Sequence, residues 1–92
     1  MEVKGVYLTP DDNVVMVTSN AGIGDVVTYQ SEGRTHSVAV TGDIPVYHKM
    51  AVAALDKGEV VVKYGERIGV AAEDIPQGAH IHTHNLVSQI KS

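Results

Sequence analysis

The hydrophobic positions of this chain fall in short β-branched runs that are separated by turn residues. No apolar stripe at helical spacing extends over a useful length, whereas short Val-rich runs bounded by Gly, Pro, Asn and Asp are typical of strands. The sequence therefore predicts an all-β fold with at most one short helical turn, in the Ala-rich stretch Met50–Leu55. The predicted strands are Val3–Leu8, Val14–Ser19, Val26–Gln30, Thr35–Val40, Glu59–Tyr64, Ile68–Ala72 and Ala79–His84, followed by a final segment Asn85–Ile90.

The turn residues also carry an internal repeat. Ser31–Arg34 predicts a hairpin-like turn in which Gly33 takes a positive φ. The triplet Asp43-Ile44-Pro45 recurs as Asp74-Ile75-Pro76, and a histidine follows each triplet within a few residues. Because Pro fixes φ, each triplet is expected to form a sharp corner whose Ile is anchored in the core. Two similar corners would then deliver two histidine-bearing segments.

The length of the chain limits what kind of site it can build. Its 92 residues fit one domain, over residues 1–92. A chain of this size buries roughly 60–65% of the surface that its unfolded form exposes, so its core is modest. A site that is shared with a partner chain is therefore more natural than a deep enclosed pocket.

Composition excludes several classes of function. The formal net charge is −4 and the seven Lys and Arg are scattered, so counterion release offers little affinity for nucleic acid. Cysteine is absent, which excludes disulfides, a thiolate nucleophile and a cysteine-held iron–sulfur cluster from this chain. The sequence has no apolar run of signal-peptide length at its start and none of the ~20 residues that a membrane span needs. We expect a cytoplasmic protein with no membrane and no nucleic-acid partner.

The strongest chemical signal is the run His80-Ile81-His82-Thr83-His84-Asn85. On a strand the three imidazoles would share one face at intervals of about 6.6 Å, from a rise of ~3.3 Å per residue. Two imidazoles at this spacing can converge on one metal ion, but three in a row span about 13 Å and rarely all reach it. We therefore expect two of them to act together and the third to act separately. A solvated polar strand face is the alternative interpretation.

The second signal is the pair His48-Lys49. Histidine titrates near neutral pH, as a general base must, and a lysine can hold a carboxylate. Neighbouring residues of a strand point to opposite faces, so the pair serves one site only where the backbone is irregular. His48 and Lys49 are predicted as catalytic residues on this basis.

Several of these strings, kept in order and spacing, resemble the N-terminal domain of altronate dehydratases. The resemblance runs from about Asp12 to Asn85 and rests on these elements: Asp12-Asn13-Val14, Gly42-Asp43-Ile44-Pro45, His48-Lys49, Lys63-Tyr64-Gly65-Glu66, Asp74-Ile75 and the histidine-rich ending. It implies a SAF-like domain with the β-clip fold. One position departs from the family, which commonly has Gly immediately before His-Lys where this chain has Tyr47.

The resemblance also implies a function. It indicates the small subunit of an altronate-type sugar-acid dehydratase, a hydro-lyase that is inactive until a separate large catalytic subunit completes its site. It further implies a divalent metal, divalent iron in the family, held by two of His80, His82 and His84, with Asn85 and Tyr64 as substrate contacts. The small subunit of a sulfolactate sulfo-lyase has the same layout. A non-catalytic SAF-type module that binds carbohydrate or a protein partner is the third alternative. Exposed strand edges would also let the isolated chain pair with a second copy.

Overall fold

The computed structural model describes residues 1–87, and they form nine short strands. The strands are β1 (Glu2–Val6), β2 (Val14–Val17), β3 (Val26–Ser31), β4 (Arg34–Ala39), β5 (Lys49–Ala51), β6 (Val60–Lys63), β7 (Glu66–Ala71), β8 (His80–Ile81) and β9 (Leu86–Val87). Six of them form one sheet in the order β4-β3-β1-β2-β5-β8, and three form a second sheet in the order β6-β7-β9. All pairs are antiparallel except β1 with β3, which run parallel. The predicted all-β class is confirmed.

The core consists of two apolar clusters that share strand β2. Side chains alternate between the two faces of a strand, and Val15 and Val17 therefore enter one cluster while Val14 enters the other. The first cluster also holds Val27, Ile44 and Met50, and the second holds Leu55, Val61, Ile75 and Ile81. Ile44 and Ile75 are 1% and 2% exposed, so both predicted Ile anchors are confirmed.

Four turns of the same geometry connect the strands. In each, the N–H of the fourth residue donates to the carbonyl of the first, and the third residue has a positive φ. The donor–acceptor pairs are Asp25 to Gly22, His48 to Pro45, Glu59 to Asp56 and Ala79 to Pro76, at 2.9–3.2 Å. The third residues are Gly24, Tyr47, Gly58 and Gly78, with φ of 98°, 67°, 88° and 87°. Isolated bridges join the turns in pairs, Ala21 to Ile44 and Leu55 to Ile75.

A buried carboxylate, that of Asp12, joins the loop after β1 to the turn between β6 and β7. It accepts hydrogen bonds from the hydroxyl of Thr9 and the N–H of Gly65, both at 2.8 Å. Burial opposes its ionisation, but these hydrogen bonds together outweigh that cost and lower the pKa of Asp12. The residue therefore closes a turn.

Several boundaries differ from the sequence expectations. Met50 and Ala51 belong to β5 and the residues after them bend, so the expected helical turn at Met50–Leu55 is absent. The strand expected over Ala79–His84 ends at Ile81, because residues 83–85 form a turn. Of the final segment Asn85–Ile90, Leu86 and Val87 are a strand and residues 88–90 lie outside the described residues. Within residues 1–87 there is no helix long and apolar enough to cross a membrane.

Candidate functional site

Three histidines from two distant parts of the sequence converge at the β5–β8 end of the larger sheet. The Nδ1 atom of His48 lies 2.8 Å from the Nε2 atom of His80. The ring centroid of His82 lies 4.3 Å from that of His48 and 5.8 Å from that of His80. One ring nitrogen from each of these three residues lies within 4.8 Å of the other two. We call this group, His48, His80 and His82, the histidine cluster.

Strand pairing brings the cluster together. His48 ends the second of the four turns, and its carbonyl accepts a hydrogen bond of 3.0 Å from the N–H of Val17. His80 lies opposite Met50 in the antiparallel pair of β5 and β8. His82 follows β8 directly, where the chain leaves the sheet. The two histidine-bearing segments that follow the Asp-Ile-Pro corners thus meet in one place, which the sequence pattern alone did not indicate.

Asn85 holds His80 and His82 in position. Its side-chain amide donates to the carbonyl oxygen of His80 at 2.8 Å, and its side-chain carbonyl accepts from the N–H of His82 at 3.0 Å. The backbone N–H groups of Asn85 and Leu86 both donate to the carbonyl oxygen of His82. Asn85 is only 4% exposed, so its amide replaces the ladder bonds that a longer β8 would make. Its predicted contact with substrate stays a prediction beside this structural role.

The environment of His80 and His82 favours the neutral imidazole. Burial and the neighbouring His48, His84 and His82 lower the pKa of His80 to about 4. Burial, followed by His48 and Lys49, also lowers the pKa of His82. Neutral imidazole is the form that binds a metal. Within residues 1–87 the group contains histidines alone, so any carboxylate ligand would come from elsewhere.

The donor set fits a divalent transition metal. Metal–nitrogen bonds of about 2.0–2.1 Å place ligating nitrogens of a tetrahedral site about 3.3 Å apart. The nitrogens of the cluster are within 4.8 Å of one another, so the three rings would need to rotate and shift modestly to share one ion. Imidazole suits iron, zinc, copper and nickel rather than magnesium or calcium. Three protein ligands also leave coordination positions open, as catalytic sites do.

His84 lies beside the cluster, whereas Lys49 points to the opposite face of the β5–β8 pair from His80. The His84 ring centroid is 5.1 Å from that of His80, but His84 is exposed and outside the group whose nitrogens can share one ion. That two histidines of the run act together and the third acts separately stays a prediction. Lys49 pairs with Met16 and Ile81 on neighbouring strands and so points to the face opposite Met50. Burial, and then the charge of Lys63, lowers the pKa of Lys49.

Tyr64 occupies a turn rather than the strand end that was expected. Its φ is 56°, and its hydroxyl lies 3.9 Å from the sulfur of Met16, the strand partner of Lys49. The ammonium group of Lys63 lies 4.9 Å from the centre of the Tyr64 ring. Tyr64 is therefore connected to Lys49 through Met16, and its predicted contact with substrate stays a prediction.

A second concavity, which the sequence did not indicate, lies at the opposite edge of the larger sheet. This groove has a volume of about 470 Å³ and is lined by Tyr7, Pro10, Tyr29, Ser31, Glu32, Arg34 and His36. The Tyr29 ring packs between Tyr7 and His36, with centroid distances of 4.8 and 5.1 Å. Tyr29 and His36 are cross-strand partners, so recognising this pair from sequence would have required the register of the β3–β4 hairpin.

The chain is similar to lyase and dehydratase proteins. A (2R)-sulfolactate sulfo-lyase subunit alpha of Chromohalobacter salexigens is 35% identical over 89 residues, which are 94% of this chain and 95% of that protein. An altronate dehydratase of Escherichia coli (strain K12) is 35% identical over 74 residues, which are 80% of this chain but 14% of that protein. An altronate dehydratase of Bacillus subtilis is 45% identical over 54 residues, or 59% of this chain and 11% of that protein.

The family that matches is described as the altronate/galactarate dehydratase SAF domain, and the match spans residues 3–89. An all-β fold of short strands is consistent with the β-clip expected for that domain. The match covers nearly the whole chain, including the His48-Lys49 pair and the histidine-rich ending. This chain therefore belongs to the altronate/galactarate dehydratase SAF-domain family.

Proposed function

We propose that this chain is the small subunit of a hydroxy-acid lyase and that its histidine cluster holds a catalytic divalent metal, iron by family resemblance. The observation that carries the proposal is the convergence of one nitrogen each from His48, His80 and His82 within 4.8 Å. Nothing in the core requires three imidazoles to meet at the surface. The lowered pKa values of His80 and His82 favour their neutral form and support a ligand role over a solvated polar face.

The first candidate reaction is the dehydration of an altronate-type aldonate. The proton on C2 leaves to a base, the C3 hydroxyl departs as water, and the enol product becomes a 2-keto-3-deoxy acid. A divalent metal bound at the cluster would supply Lewis acidity toward a substrate oxygen. An imidazole can accept or donate a proton only while it is free of the metal, so the predicted role of His48 as base or acid would require His48 to leave the ion to His80 and His82.

Lys49 is proposed to contact the substrate carboxylate. Its charge contributes to lowering the pKa of both His80 and His82, which places it within electrostatic range of the cluster. Among residues 1–87 the only ion pair joins the N-terminal amine to Asp25. No carboxylate of these residues therefore forms an ion pair with Lys49. An anionic substrate would relieve its repulsion with Lys63.

A large catalytic subunit is proposed to complete the site. Two observations support a partner: relatives of the same size are named as an alpha subunit, and the altronate dehydratases match over only 14% and 11% of their lengths. The cluster also contains no carboxylate within residues 1–87. Oxygen ligands from the partner would fill the open positions, and the complex would work in the cytoplasm.

A sulfolactate sulfo-lyase subunit is the second candidate. The matched sulfo-lyase subunit alpha is covered over 95% of its length, whereas the dehydratase of E. coli is covered over 14%. The elimination is analogous, because removal of the C2 proton expels sulfite from C3 in place of water. A non-catalytic carbohydrate-binding module is the third candidate, and the aromatic groove of Tyr7, Tyr29 and His36 supports it.

Reconstitution tests these candidates. The chain is mixed with the purified large-subunit homologue from the same organism and with Fe²⁺ under anaerobic conditions, and turnover is measured with altronate and with (2R)-sulfolactate. We expect one substrate to be consumed, and the replacement of His48, His80 or His82 by Ala to abolish turnover and metal binding. His36→Ala, at the opposite edge of the sheet, is the matched control. Full activity of all three cluster variants would refute the metal-site proposal, and no turnover of either acid would favour the binding module.

A further inference from the structure

The second of the four turns carries a residue that its geometry disfavours. The third position of these turns has a positive φ, a conformation that costs an L-residue roughly 1–2 kcal/mol and glycine almost nothing. Three of the turns have glycine there, at Gly24, Gly58 and Gly78, and the fourth has Tyr47 at a φ of 67°. The same backbone conformation thus occurs in four turns, and only the turn that leads into His48 has a residue other than glycine at its third position.

Among residues 1–87, no hydrogen bond of the Tyr47 side chain offsets this cost. Tyr47 is 68% exposed, and no hydrogen bond to its hydroxyl is present within residues 1–87. Its backbone is secured independently of the ring, because its N–H donates to the carbonyl of Val17 at 2.8 Å. Gly78 makes the equivalent backbone bond to Ala51 without any side chain. A strained and exposed ring that the fold does not use points to a role outside the folded chain.

The surroundings of Tyr47 identify that role. Val46 precedes it and is 37% exposed, so the tip of this turn presents two adjacent apolar side chains to solvent. The next residue, His48, belongs to the histidine cluster. Any polypeptide that supplies oxygen ligands to the cluster must approach within one residue of Tyr47. Tyrosine is enriched among the few residues that dominate binding energy at interfaces, because its ring buries a large area with little entropy loss.

We infer that Tyr47 is a docking residue, with Val46 beside it, for the catalytic subunit that completes the histidine cluster. The inference rests on the proposed function, because the docking partner is the large subunit proposed there. The tip of the turn inserts into an apolar pocket of the large subunit, and this contact places the histidine cluster at the subunit interface. Strain in the free chain is therefore offset only in the complex.

The test measures the affinity of the two subunits rather than turnover. The dissociation constant between this chain and the purified large-subunit homologue is measured by isothermal titration calorimetry, with EDTA present so that bridging metal does not contribute. We expect Tyr47→Gly to weaken the complex at least tenfold, Val46→Ala to weaken it less, and Tyr47→Phe to stay within about threefold of wild type. Tyr47→Gly is expected to fold, because three sister turns already carry glycine.

Ile23→Ala is the matched control, because Ile23 occupies the position of Val46 in the first turn and is 79% exposed. We expect it to bind as wild type does. An unchanged dissociation constant for Tyr47→Gly would overturn the inference and leave the proposed function standing, and so would a change confined to the KM for substrate. If the wild-type chain forms no complex with the large-subunit homologue, both the docking inference and the two-subunit function fail.

Discussion

The Nδ1 atom of His48 and the Nε2 atom of His80 face each other at 2.8 Å, so one ring donates its N–H to the other. This hydrogen bond requires that at least one of the two imidazoles is neutral. It also explains why metal-free protein can hold the rings together: each ring satisfies a nitrogen of the other until an ion replaces the shared proton.

The first prediction concerns the pH dependence of stability without metal. The pKa of His80 is about 4 in the folded chain, against 6.5 for an unperturbed histidine, the value expected in the unfolded chain. Between pH 4 and pH 6.5 the unfolded state therefore binds more protons than the folded state. The free energy of unfolding therefore falls as pH falls from 6.5 towards 4. The whole shift corresponds to about 3 kcal/mol, and because the ring is partly exposed to solvent we expect a loss of about 1 kcal/mol.

Urea unfolding in EDTA between pH 7.5 and pH 4.5 measures this dependence. The His80→Gln chain lacks the titrating group and should lose less stability over the same interval than the wild type. Identical pH profiles for the two proteins would contradict the assignment of the shift to His80.

The second prediction separates the cluster from its neighbours. His48→Ala, His80→Ala and His82→Ala should each weaken Fe²⁺ or Co²⁺ binding by the isolated chain at least tenfold, because each removes one of three nitrogens that lie within 4.8 Å of one another. His84→Ala should retain most of the affinity, since His84 is outside this group. Cobalt absorption spectra and metal analysis give the readout, and a larger loss for His84→Ala than for His82→Ala would reverse the assignment.

The third prediction compares two asparagines with the same kind of bonding. Asn85 bridges the backbone of His80 and His82, and Asn13 bridges the backbone of Val60 and Val62 in the same two-ended way. Replacing either by Ala should cost about 2 kcal/mol of stability, because buried or half-buried partners lose their hydrogen bonds.

Only Asn85→Ala should also weaken metal binding, by roughly 10–100-fold, as residues that orient ligands do. Thermal unfolding and metal titration of both variants test this pair. Equal metal affinity for Asn85→Ala and Asn13→Ala would mean that the turn holds the histidines without the amide.

The fourth prediction uses the four turns as a graded series. Tyr47→Gly should raise the free energy of unfolding by about 0.5–1 kcal/mol, because relief at the positive φ exceeds the added freedom of the unfolded chain. Gly24→Ala and Gly58→Ala should lower it by about 1 kcal/mol, since the new methyl group meets nothing within 4 Å and only the φ is unfavourable.

Gly78→Ala should cost about 3 kcal/mol or more, because its methyl group would lie 2.0 Å from the carbonyl oxygen of Ala39. Urea midpoints of the four variants give the order. A destabilised Tyr47→Gly chain would indicate that the ring stabilises the free protein, and it would remove the strain argument.

Local signals predicted the strands and corners well, and non-local pairing accounts for most of what they missed. Val, Pro and Gly act through their own backbone preferences, so the turn at Gly33 and the corners at Ile44 and Ile75 were predictable. The ring of His48 meets that of His80 only because β5 pairs with β8, and no periodicity in the sequence encodes that register.

The prediction that the histidine run forms one strand was wrong for a related reason. Alternation after Ile81 favours an extended chain, but the side chain of Asn85 binds the backbone on both sides of Ile81 and forces a turn. The metal-ligand hypothesis named His80, His82 and His84, whereas the structure groups His80 and His82 with His48, which the sequence analysis had assigned to a different task. Tyr64 was expected to end a strand, whereas its positive φ begins a turn.

The separation of His48 and His80 by 32 residues has a consequence for assembly. In a nascent or denatured chain the imidazoles are apart, since closing so long a loop costs entropy that only the finished sheet repays. If the cluster binds Co²⁺ as proposed, uptake of this coloured ion would report the pairing of β5 with β8 in real time. A refolding experiment could follow the formation of the sheet through the absorption of the bound ion, without any attached label.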